Sequence, residues 1–138
     1  MTVKEYFNQA YQLDARINSK IEQVSRLHEL ATKATSTLSD MPGSATRNTH
    51  RMEDTIIKII DLENEINKEI DRLVDLKTEM TRIIGSVQNI EYQRLLELRY
   101  LCFRSWKQIA DEMGYSKQHI FRLHNEALEK VDIPGITD

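Results

Sequence analysis

Apolar residues recur every three or four positions along two long stretches of this chain, and that spacing restricts it to helices packed side by side. From Val3 to Ala34 they fall at Tyr6, Ala10, Leu13, Ile17, Val24, Leu27 and Ala31, with Ile21 and Leu30 extending the set and Lys20 interrupting it. From Thr49 to Gln88 the pattern repeats at Met52, Ile56, Ile59, Ile66, Ile70, Leu73, Met80, Ile84 and Val87. On an α-helix this spacing gathers apolar side chains on one face, which another helix must cover. The spacing predicts helices over about 3–34 and 49–88, the second reaching on the order of 60 Å at ~1.5 Å per residue. Thr2 and Glu5 form a capping box at the start of the first. Gly85 weakens the end of the second without demanding a break. Thr35 to Thr46 is polar and turn-forming, with Pro42-Gly43 as its clearest stop. Residues 1–88 are therefore expected to form a long antiparallel helical hairpin, a coiled-coil-like arm in an all-α protein.

Further apolar flanks widen each stripe: Ile60, Val74 and Ile83 on the second helix, Ile21 and Leu30 on the first. A stripe that wide needs more than one partner, so a homodimer with a four-helix arm is expected. Leu13, Ile17, Val24, Ile59, Ile66, Ile70, Leu73 and Met80 are the candidate oligomerisation residues. Glu63 and Lys77 take seam positions in this register, either selecting the pairing or lying at a flank with their heads in water. The spacing permits both parallel and antiparallel arms.

Residues 89–131 carry a different signal: three short helices, the last two joined by a tight glycine turn. Asn89 can cap the helix holding Leu95, Leu96, Leu98 and Leu101. Ser105 and Gln108 make a capping box, and Ser116 can cap the final helix. Gly114 can take the left-handed conformation that closes a helix. Ile109 and Met113 form one inner face and Ile120, Leu123 and Ala127 the other, while Ala110 permits a close crossing. This is the pattern of a helix-turn-helix, which places its second helix in the DNA major groove.

The run from Leu95 to Val131 resembles region four of bacterial sigma factors, which bind the promoter −35 element. The matching residues are Leu98-Arg99-Tyr100-Leu101, Ser105 to Ala110, Met113 to Ser116, and Ala127-Leu128. The whole chain resembles small phage and prophage proteins of Gram-positive bacteria in which a helical half precedes a region-four-like module. The ArpU and RinA-type late-gene regulators are broadly similar. The resemblance implies a transcriptional regulator whose recognition helix, 116–130, reads double-stranded DNA. Lys117, Gln118, His119, Phe121 and Arg122 match positions facing DNA, with fewer arginines there than the family's usual pattern. Arg or Lys suits guanine O6/N7, Gln suits adenine N6/N7, and Phe121 can meet a thymine methyl. Arg99, Arg104, Lys107 and Ser116 are the candidate phosphate contacts. Sigma region four also contacts polymerase, so the alternative is a module binding RNA polymerase or another regulator. Residues 132–138 read as a C-terminal tail.

Net charge is −3, so any DNA affinity must come from where the charges lie. Residues 116–125 hold Lys117, His119, Arg122 and His124 and no acid. Cys102 is the only cysteine, which excludes a disulfide framework, and its apolar neighbours suggest a buried, inert thiol. Neither a signal peptide nor a membrane-spanning run is recognisable, so a cytoplasmic protein in a bacterial host cell is expected. There is no HExxH, CxxC, phosphate loop or nucleophile elbow, and His28, His50, His119 and His124 lack metal-ligand spacing. No catalysis, cofactor or metal is expected.

Overall fold

A computed structural model describes residues 1–38 and 45–136, with the side chains of 34–38 and 45–48 outside the description. Among the described residues the regular structure is helical throughout. The helices are α1 (Val3–Leu38), α2 (Ala45–Gly85), α3 (Ile90–Leu96), α4 (Trp106–Met113) and α5 (Lys117–Glu129). α1 and α2 run 36 and 41 residues. Each differs at its inner end from the expected limits: Thr35 to Leu38 and Ala45-Thr46 are helical rather than turn. Favourable propagation of an already nucleated helix outweighs the weak preferences of Ser and Thr there. The expected Pro42-Gly43 stop lies outside the described residues.

The chain divides into two compact units, Met1–Leu13 with Leu73–Asp138, and Asp14–Arg72. These limits differ from the division at residue 88 read from the sequence. In the second unit, Arg16 and Lys20 of α1 pair with Glu69 of α2 at 3.1 and 2.6 Å, and Lys20 reaches Glu65 at 3.3 Å. His28 lies 4.0 Å from Glu63. Rising numbers on α1 meet falling numbers on α2, so the two helices are antiparallel there. Ile17, Ile59 and Ile66 are buried and Val24 half-buried.

Ile70, expected in the seam, is instead exposed, and Glu69 takes the inward position. The Lys20 and Arg16 partners hold the Glu69 carboxyl below the usual carboxylate range, the hydrogen bond from Lys20 acting most strongly and burial opposing it. Burying a carboxylate is tolerable only with such partners. Of the two readings left open for Glu63, the exposed flank is the one seen within this pairing of α1 and α2.

The first unit has two cores. One gathers Val3, Tyr6, Phe7 and Ala10 of α1, Met80, Ile83, Ile84 and Val87, then Leu96, Tyr100, Ala127, Val131 and Ile133. The other holds Leu95, Ile109, Ala110, Ile120 and Leu123, with Trp106 and Met113 against it. Two expectations change here. Met80, taken for an oligomerisation residue, is fully buried within the chain, and Leu73 packs half-buried against the same core. Residues 132–136 do not form a free tail, because Ile133 is buried and Ile136 packs beside it. Gly135, at φ 83°, provides the turn that lets this short apolar segment fold back.

Candidate nucleic-acid interface

Each boundary of the three-helix segment has the chemistry its sequence suggested. Asn89 Oδ1 accepts from the backbone N–H of Glu91 and Tyr92 at 2.9 and 3.2 Å. Ser105 and Gln108 form a reciprocal capping box at 3.2 and 2.9 Å. Gly114 closes α4 at φ 74° with its N–H on the Ala110 carbonyl. Ser116 Oγ accepts from His119 N–H at 3.2 Å and starts α5. These caps satisfy backbone groups that a helix end otherwise leaves unpaired.

The stretch after α3 is irregular in a specific way. Glu97–Leu101 is a single π-helical turn, closed by Cys102 N–H donating to the Glu97 carbonyl at 3.0 Å. Phe103 follows at φ 57°, a left-handed conformation unusual for a residue with a Cβ. Its ring is held by the Lys77 ammonium 4.5 Å above it and by the edge of Tyr11. Lys77 also donates to the Leu101 carbonyl at 3.1 Å, so this half-buried residue ties the loop rather than setting a pairing register. The π turn turns the Cys102 side chain outward, and the thiol is exposed instead of buried.

α5 is held on its inner side by Ile120, Leu123 and Ala127, all buried. Tyr92 donates to Glu126 at 2.9 Å, and the Tyr115 hydroxyl bonds Glu91. Lys117, Gln118, Phe121, Arg122 and Asn125 consequently face solvent together. Phe121 is 44 % exposed, its ring meeting Trp106 edge-on at a centroid distance of 5.2 Å. His119 is half-buried against Tyr115, and its Nδ1 accepts from Arg122 at 2.5 Å. An arginine can only donate, so Nδ1 is the acceptor in this contact.

His124 departs from the expected basic patch. It is 4 % exposed, hydrogen-bonded through Nε2 to the Tyr100 hydroxyl at 2.6 Å, and edge-on to Trp106. Burial, with Lys4 and Arg99 nearby, lowers its pKa from 6.5 to about 4. Burial also raises the Tyr100 hydroxyl to about 12. Both partners are neutral at pH 7, and His124 adds no charge to the outer face.

The expected phosphate-contacting residues lie in different settings. Arg99 donates to the Arg104 carbonyl at 3.0 Å and stacks 4.2 Å from the Trp106 ring, which makes it a strap on the loop before α4. Arg104 pairs with Glu112 at 3.2 Å. Lys107 is exposed on α4, and the Ser116 hydroxyl oxygen is occupied as a cap. Sequence reasoning missed the Tyr100–His124 pair and the place of Phe7, which stacks on Tyr100 at 4.9 Å. Phe7 lies off the Tyr6–Ala10–Leu13–Ile17 stripe, so its aromatic bulk was the available signal.

These features define an all-helical protein whose C-terminal helices form a capped, well-packed unit with a polar outer face on α5. A family model described as "Protein of unknown function (DUF1492)" matches residues 33–132, and the chain belongs to that family. No curated protein and no solved structure matches the chain. Among the described residues no helix is long and apolar enough to cross a membrane.

Proposed function

We propose that the protein is a sequence-specific, DNA-binding transcriptional regulator of phage or prophage type, with α4 and α5 acting as a helix-turn-helix. The observation that carries this reading is the outer face of α5. Lys117, Gln118, Phe121 and Arg122 are exposed on it, with no acid between Ser116 and Asn125. In the major groove Arg122 or Lys117 would pair with guanine and Gln118 with adenine. His119, packed on Tyr115, would orient Arg122 more than read a base itself. Lys107 is the best placed of the phosphate candidates, and Arg104 would have to leave Glu112. With two exposed cations on α5 and one on α4, affinity should fall only modestly with salt. Two copies acting together would read paired half-sites.

The Arg104–Glu112 pair and the net charge of −3 favour a second reading, a module that binds RNA polymerase or another regulator. Selection of duplexes from a random pool by the full-length protein separates them. An enriched motif supports the DNA reading. Arg122→Ala should then cost about 1–3 kcal/mol at one base pair and relax preference there. A folded protein that enriches no motif would leave the protein-binding reading.

A further inference from the structure

One face of α2 in the Asp14–Arg72 unit carries exposed apolar residues in register. Ile56, Ile60 and Ile70 are 45 %, 51 % and 39 % exposed, and Glu63 and Asn67 between them face solvent as well. Positions 56, 60, 63, 67 and 70 alternate steps of four and three, the spacing of a coiled-coil seam. At 3.6 residues per turn this stripe lies roughly a quarter turn from the one that carries Ile59, Ile66 and Glu69. Ile21 of α1 shares its side: with Val24, Glu63, Ile66 and Asn67 it lines a shallow groove there. The residues expected from sequence to drive self-association do not form this stripe, apart from Ile70. Ile17, Ile59 and Ile66 are already buried inside the chain.

We propose that this stripe pairs with the same stripe of a second copy, with the two α2 helices antiparallel about a two-fold axis beside Glu65. The occupant follows from self-complementarity. About that axis Ile60 of one copy meets Ile70 of the other, Glu63 meets Asn67, and each contact occurs twice, as a two-fold interface requires. A parallel pairing would set every residue against its own copy and bring two Glu63 carboxylates together in an apolar seam, where like charges are costly. The antiparallel pairing replaces that clash with a carboxylate accepting from the Asn67 amide. A polar pair at one layer of an apolar seam also fixes the register, since a slip of one heptad would strand both groups against isoleucine or valine. This pairing deepens the self-association suggested above and does not depend on whether α5 meets DNA.

Sedimentation equilibrium of the full chain tests it, with circular dichroism confirming helicity for each variant. The wild type should be dimeric in the micromolar range. Ile60→Lys, at a half-exposed surface position, should weaken the dimer on the order of 100-fold, or about 2.7 kcal/mol. Ile60→Lys combined with Ile70→Glu should restore it to within about tenfold of wild type. The introduced lysine faces the introduced glutamate only when the helices are antiparallel; in a parallel pair each would face its own kind. A monomeric wild type, an undiminished Ile60→Lys dimer, or a double variant no better than the single one would each overturn the pairing. A monomer that still selects a DNA motif would overturn the pairing alone. A dimer that selects none would overturn the DNA reading alone.

Discussion

Replacing Phe7 by alanine should destabilise the first unit as far as its C-terminal helices, although Trp106 lies ninety-nine positions further along the sequence. Phe7 is 0 % exposed and stacks on Tyr100 at 4.9 Å with an interplanar angle of 26°. Tyr6 meets the Phe7 ring edge-on at 5.7 Å. Removing a fully buried phenyl group typically costs about 3–5 kcal/mol, because the lost transfer energy is joined by the cavity left behind. Loss of the Tyr100 stack places this site toward the upper part of that range. A domain of this size holds only about 5–15 kcal/mol in total, so the change is a large fraction of its stability. With a urea dependence of about 2 kcal/mol per molar, the unfolding midpoint should fall by roughly 2 M. Trp106, the only tryptophan, lies in the second core of the same unit and reports this transition by fluorescence. A shift below about 1 kcal/mol in the Trp106 transition would refute the shared core. It would mean that the start of α1 is dispensable to the helices that follow.

Acid should weaken the fold through His124. The unfolded chain takes up a proton near pH 6.5, while the buried ring resists until about pH 4. The unfolded state therefore binds more protons between those values, and stability, full above pH 6.5, falls as pH drops toward 4 by up to about 3 kcal/mol. In urea titrations at pH 7 and 4.5, His124→Gln should flatten that part of the loss; an unchanged slope would exclude His124 as its source. Gly114→Ala should cost about 1–2 kcal/mol in the same assay from backbone strain alone, since φ is 74° and a Cβ there meets nothing within 4 Å. No measurable cost would mean that the turn relaxes freely.

The helical class and the caps at Thr2, Asn89, Ser105 and Ser116 were legible because they depend on neighbours three or four residues apart. The outer face of α5 was legible for the same reason, since helical periodicity alone puts Lys117, Gln118, Phe121 and Arg122 together. The fate of His124 was not, because its charge depends on burial beside Tyr100, which lies on the turn before α4. Cys102 was misread because a π turn changes the direction of the side chains that follow it, and one residue's shift in hydrogen bonding leaves little trace in composition. Exchange of Glu69 for Ile70 at the inner face of α2 depended on where Arg16 and Lys20 fall on the facing helix.

The helices, their caps and the residues that share a helical face all arise from local hydrogen bonding and a 3.6-residue repeat, and so are written in the order of residues along the chain. That Val3, Tyr6, Phe7 and Ala10 complete a core with Tyr100, Val131 and Ile133 depends on packing between residues far apart in the chain. The same long-range packing selects which apolar stripe of α2 is used inside the chain and which is left outside. Apolar burial is non-directional, so a stripe announces that it needs a partner without naming one; contacts between residues far apart in sequence supply the name.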